Sequence, residues 1–113
     1  MLIPGYKPSI SLIIPCYNEA ENAKFVISKI AKLQSEITIP FEVIFVDGCS
    51  SDATPDKLRA GIVEHSMEQN VFVHVMPSRR GYGHDIIYGL QQARANVLSW
   101  THADMQTDIK DVF

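Results

Sequence analysis

Four short segments hold most of the residues that can do chemistry. Pro15-Cys16-Tyr17-Asn18-Glu19 sets an aromatic ring beside a carboxylate. That pair suits a nucleobase, which stacks on the ring while the carboxylate accepts a base N–H. Asn18 and Glu19 serve equally well as the start of a helix, where short polar side chains cap and acids complement the dipole. In Asp47-Gly48-Cys49-Ser50-Ser51-Asp52-Ala53-Thr54, Asp47 can accept from a base or ribose, whereas Asp52 is the type of residue that organises a turn through its own backbone. Arg79-Arg80-Gly81-Tyr82-Gly83-His84 brings cations and flexible backbone to a helix start, a combination that suits a diphosphate. It is not the G-x-G-x-x-G dinucleotide fingerprint. His102-Ala103-Asp104, followed by Gln106 and Asp108, offers two groups that can approach one divalent ion bridging phosphate oxygens, or else a solvated loop whose Asp108 caps the next helix.

The elements that must position these segments alternate strand and helix. Apolar runs at 10–14, 41–46, 71–76 and 97–101 read as buried strands. Between the first two, Ala23, Val26, Ile27, Ile30 and Leu33 recur at helical spacing, with Asn18 as the expected N-cap and Glu21 three residues on. A second helix is expected with Thr54 as cap, Pro55 in its first turn, and Leu58, Ile62 and Val63 inward. A third spans 85–93, with Ile86, Ile87 and Leu90 inward. This order predicts an α/β fold, a mostly parallel sheet with flanking helices, Rossmann-like in its winding. All four chemical segments then emerge at the carboxyl ends of strands, where such sheets bind ligands.

Composition sets the frame. The chain of 113 residues fits one domain, and 46% hydrophobic residues support a core. A net charge of −3 argues against nucleic acid as a partner. Cys16 and Cys49 form no C-x-x-C pair and read as reduced, structural residues in a cytoplasmic setting. No run approaches the roughly 20 apolar residues that span a bilayer. The N-terminus does not read as a signal peptide. A helix opens near Asp108 just before the last residue, so the sequence reads as the front part of a longer domain.

Taken in order, the segments resemble family 2 glycosyltransferases of the GT-A fold, with an affinity to the dolichyl- and polyprenyl-phosphate sugar transferases. Residues 14–19 resemble the opening P-x-Y-N-E, residues 47–54 the pattern D-D-G-S-x-D-x-T, Gly81-Tyr82-Gly83 with Gly89, Leu90 and Ala93 the glycine loop and its helix, and Ala103-Asp104-Met105-Gln106 the end of D-A-D-L-Q. The resemblance implies that Pro15, Tyr17, Glu19 and Asp47 contact base and ribose, that Arg80 and Gly81 lie beside the donor path, that Asp104 binds Mg²⁺ or Mn²⁺, and that Gln106 lies near the donor sugar or phosphates. It implies a UDP-, GDP- or dTDP-linked sugar as donor and a polyprenyl phosphate or saccharide as acceptor. It also implies inverting transfer, at the cytoplasmic face of a membrane in a full-length protein, with the acceptor half and catalytic base beyond residue 113.

Two departures stand out. Gly48 and Cys49 replace the family's Asp-Gly pair, thinning the base side. His102 stands where the first metal-motif Asp is expected, so it either joins Asp104 and favours Mn²⁺ or leaves Asp104 alone. A non-catalytic nucleotide-binding or regulatory module is the competing reading. A sugar nucleotidyltransferase fits less well, since its glycine-rich loop would follow the first strand. A front part left uncovered is also expected to self-associate through an open strand edge.

Overall fold

The computed structural model describes residues 7–95 and 97–100. Its elements follow the expected alternation: β1 (Ile10–Cys16), α1 (Ala20–Glu36), β2 (Phe41–Asp47), α2 (Thr54–Glu64), β3 (Val71–Val75), α3 (Tyr82–Gln92) and β4 (Val97–Trp100). The four strands form one parallel sheet in the order β3-β2-β1-β4. The chain therefore winds outward through β2 to β3, then returns by way of α3 to the far side of β1. The order of strands reverses at β1, the kind of point where open α/β sheets form a crevice.

The apolar runs of β1 and β2 are continuous because both of their faces are covered. Leu12, Ile14 and Cys16 of β1, with Val43 and Phe45 of β2, join the core shared with α1 and α2. Ile13, Ile44 and Val46 instead join a smaller cluster with Met76, against which Tyr88, Leu90 and Ala93 pack. Two glycines set helix distances. A Cβ on Gly61 would stand 2.8 Å from Ile27 Cγ2, so α2 lies directly on α1; one on Gly89 would stand 2.4 Å from Ile13 Cγ2, so α3 lies directly on the sheet.

The inward face of α1 is the expected one: Ala23, Val26, Ile27, Ile30 and Leu33 are all buried. The other two helices depart from expectation. Val63 is 62% exposed, because the stripe of α2 is set by Leu58 and Ile62 at i, i+4 and turns Val63 outward. Ile87 is 59% exposed, and the fully buried residues of α3 are Asp85 and Gly89, again one i, i+4 pair. The helix also starts at Tyr82, three residues earlier than expected. Neither expected cap is one. Glu19 occupies the N-cap position of α1 and Ala53 that of α2, both without a side-chain capping bond. Asn18 and Thr54 are used between loops instead.

A polar knot on the sheet was not anticipated. Glu42 is buried beside its rung partner Ser11, whose hydroxyl donates to Glu42 Oε2. Arg94 closes the group: its N donates to Oε2 at 2.7 Å and its Nε to Oε1 at 2.8 Å, while Ala95 N donates to Ser11 Oγ. These bonds satisfy a buried carboxylate that would otherwise be costly. They also tie the exit of α3 to the sheet just before β4.

Candidate functional site

At the carboxyl ends of the strands, the loops after β1 and β2 are sewn together by backbone donors and side-chain acceptors. Asn18 N donates to Ser50 Oγ at 2.8 Å, and Glu19 N to Thr54 Oγ1 at 2.9 Å. In the other direction, Ser51 N donates to Asn18 Oδ1 at 2.9 Å. Asn18 reaches this position with φ 52°, a left-handed conformation that asparagine tolerates. Asp52 is the organiser its residue type suggested. Its Oδ1 accepts from Thr54 N at 3.0 Å and from the Thr54 hydroxyl, and its Oδ2 accepts from Ala20 N at 3.3 Å. The slight desolvation of Asp52 acts to raise its pKa, but the bonds from Thr54 and Ala20 outweigh it and hold the carboxyl below its ordinary value.

Asp47 ends β2 fully buried. Its carboxylate is engaged by its own loop: Ser50 N donates to Oδ2 at 2.8 Å and Ser50 Oγ to Oδ1 at 2.6 Å. The Cys16 thiol lies 3.9 Å from Asp47 Oδ1. Burial, then the charge of Asp47, pushes that thiol far above the usual range, so Cys16 stays protonated and inert. Cys49 is exposed, at φ 72°. Pro15 is buried in β1 opposite Val46. Tyr17 is half-buried at the mouth, and Glu19 Oε2 accepts from Asn22 Nδ2 at 2.9 Å.

The third loop faces these two. Here Arg79, not Arg80, reaches the site. The Arg79 guanidinium lies 3.9 Å from the centre of the Tyr17 ring and 5.5 Å from that of Tyr82. Arg80 is exposed, with Nε 3.4 Å from Ser78 Oγ. Gly81 precedes α3 at φ 93°, a conformation that needs glycine. Asp85, in the first turn of α3, is fully buried beside the loop after β2. Its Oδ1 lies 3.3 Å from His84 Nδ1, and its Oδ2 has no hydrogen-bond partner among the described residues.

The structure thus brings Tyr17, Asp47, Arg79 and Asp85 to one strand-end site, with Pro15, Glu19 and Gly81 around it. Asp85 was missed by sequence reasoning, and Arg79 was read only as one of the two cations of its loop. For Asp85 a signal existed, since it stands four residues before Gly89 on what becomes the buried stripe. His102, Asp104 and Gln106 lie outside the described residues. Among the described residues no group of three or more His, Cys, Asp or Glu could hold a metal ion. None of the described helices is long and apolar enough to cross a membrane.

Comparison with known proteins gives a consistent result. A sequence model of Glycosyl transferase family 2 matches residues 11–112. The undecaprenyl-phosphate 4-deoxy-4-formamido-L-arabinose transferase of Yersinia enterocolitica is 27% identical over 103 residues, covering 91% of this chain and 31% of that protein. Among solved structures, the mannosyltransferase PcManGT from Pyrobaculum calidifontis, in complex with GDP-Man and Mn²⁺, superposes with a TM-score of 0.74 at 29% identity, over 92% of this chain and 30% of that one. S. aureus TarS in complex with UDP-GlcNAc gives 0.68 at 28% identity, over 85% and 26%. The chain spans about a third of the length of the curated relatives it matches.

Proposed function

This chain belongs to glycosyl transferase family 2, and from that premise we propose that residues 1–113 are the donor-binding part of a glycosyltransferase. They hold a nucleotide-diphospho-sugar whose sugar the whole enzyme transfers to an acceptor. The observation that carries this reading is the stack of Arg79 on Tyr17 at the carboxyl ends of the parallel strands, beside Asp47. An aromatic platform offers a face to a base, and a guanidinium beside it suits a diphosphate. The buried carboxylate of Asp47 orders the loop that walls the site. PcManGT holds GDP-Man with Mn²⁺ and TarS holds UDP-GlcNAc, which supports a nucleotide-sugar as the ligand class here. The Yersinia relative is named for undecaprenyl phosphate, which supports a polyprenyl phosphate as acceptor.

His102 and Asp104 are the residues the sequence offers to a divalent ion, which would neutralise charge on the leaving diphosphate. The reading is tested by calorimetric titration of the chain with UDP and GDP, in Mn²⁺ and in EDTA. Binding of at least one nucleotide, tighter with Mn²⁺, is expected. Tyr17→Ala should weaken it by about tenfold, the worth of one base stacked on an aromatic ring. Absence of binding to both nucleotides in Mn²⁺ would reject the reading. Equal affinity with and without the ion would remove His102 and Asp104 from it.

A further inference from the structure

The family pattern resembled by residues 47–54 carries two successive carboxylates, and this chain has only the first, Asp47, followed by Gly48. The structure shows what fills the gap. A Cβ built on Gly48 would stand 2.8 Å from Asp85 Oδ2 and 2.9 Å from Arg79 Nη1. The carboxylate of α3 therefore occupies the space that a side chain at position 48 would need. Gly48 is not in the left-handed region, so its backbone does not call for glycine. What crowds a side chain there is Asp85, with Arg79 beside it.

Asp85 is also an unspent acceptor. It is fully buried, His84 is 3.3 Å from Oδ1, and Oδ2 is buried without a partner among the described residues. Leaving a carboxylate oxygen in that state is costly unless a ligand, an ion or a water completes it. The first turn of α3 makes the charge tolerable while it waits. The group beside Oδ2 at the same spot is Arg79, which is exposed and stacks on Tyr17. A diphosphate draws a guanidinium to itself, and its departure opens the way to Oδ2.

We propose that Asp85 is a nucleoside-binding residue whose Oδ2, standing where the side chain of residue 48 would be, replaces the missing second carboxylate and accepts a hydrogen bond from a base N–H or a ribose hydroxyl of a bound nucleoside diphosphate. The assignment rests on the donor-binding reading above and adds to it a binding residue on a different element. It gives the pair Gly48 and Asp85 a joint meaning: the glycine is there because the carboxylate comes from α3.

The test is calorimetric titration of the full chain with UDP and GDP in Mn²⁺, using wild type, Asp85→Asn, Asp85→Ala and the double variant Gly48→Asp/Asp85→Ala. Asp85→Asn should weaken binding by about tenfold or more, the worth of a hydrogen bond to a charged group, without lowering the melting temperature of the unliganded chain. The double variant returns a carboxylate to position 48 and should bind within about threefold of wild type. Titration with 2′,3′-dideoxy-UDP identifies the donor: a loss on Asp85→Asn that persists assigns the base, and one that vanishes assigns the ribose. The proposal is overturned if Asp85→Asn binds as tightly as wild type, or if the double variant binds no better than Asp85→Ala. Should Asp85→Asn fail to fold, the double variant against Asp85→Ala decides alone. If wild type itself binds neither nucleotide, it is the donor-binding reading that falls.

Discussion

The loops after β1 and β2 and the loop after β3 meet at the same end of the sheet, yet they are built differently. In the first pair, donors and acceptors are spent on one another: Asn18 bonds with Ser50 and Ser51, Ser50 with Asp47, Glu19 with Thr54 and Thr54 with Asp52, joining loops more than thirty residues apart in sequence. In the third, Arg79 and Arg80 are exposed, and among the described residues a Cβ added at Gly81 or Gly83 would touch nothing and Asp85 keeps one buried oxygen without a partner. A loop whose polar groups are satisfied internally is a wall that holds its shape without a ligand. One whose groups are left over can change partners when a ligand arrives.

Substitutions in the two regions should differ in what they cost. The largest effect is expected at Gly89, which anchors α3 beyond the open loop. Gly89→Ala drives a Cβ into Ile13 and Val46 and should destabilise the chain by about 2–3 kcal/mol, read by urea denaturation. Asp52→Ala comes next, since it removes the acceptor for three donors of the closed pair. A loss of about 2 kcal/mol is expected near neutral pH. The same carboxyl fixes a pH dependence. Its native pKa lies below the ordinary 3.8, so its contribution is complete above about pH 4 and is lost as pH falls through the native value. Asp52→Ala should flatten that part of the stability profile, and identical acid limbs would remove Asp52 as its source.

Smaller changes probe the strain that remains. Cys49→Gly should stabilise by about 1 kcal/mol, because Cys49 holds φ 72° where the family pattern has glycine. A thermal melt in reductant measures it, and a lower melting temperature would contradict it. Least of all, Gly83→Ala should raise stability by about 0.5 kcal/mol, since the added methyl meets open space in the first turn of α3. A loss comparable to that of Gly89→Ala would show that the start of α3 is as tightly seated as its end, and the contrast would fail.

The strands were legible because an apolar run flanked by turn residues carries its own signal: β2, β3 and β4 each end within one residue of their runs, and β1 continues two residues beyond its own, through Pro15 to Cys16. The inward face of α1 was legible for the same reason, as five apolar residues at helical spacing define one stripe. Asp52 too could be read locally, since an aspartate two residues before a threonine can bond to it without help from elsewhere. The face of α3 could not. Ile86, Ile87 and Leu90 make a plausible stripe, but the small Gly89 lets the helix sit close to Ile13, and that seat carries Asp85 inward and Ile87 out.

What the sequence determined by itself is the alternation of strand and helix and, with it, the place of the first three polar loops at strand ends, because both follow from local periodicity and turn chemistry. Tertiary structure decided the partners within those loops. Asn18 bridges to Ser51 instead of capping α1, Arg79 and not Arg80 meets Tyr17, and Asp85 fills the place left by Gly48. Each of these contacts depends on the strand order β3-β2-β1-β4, which places loops distant in sequence side by side, and no local pattern encodes that order.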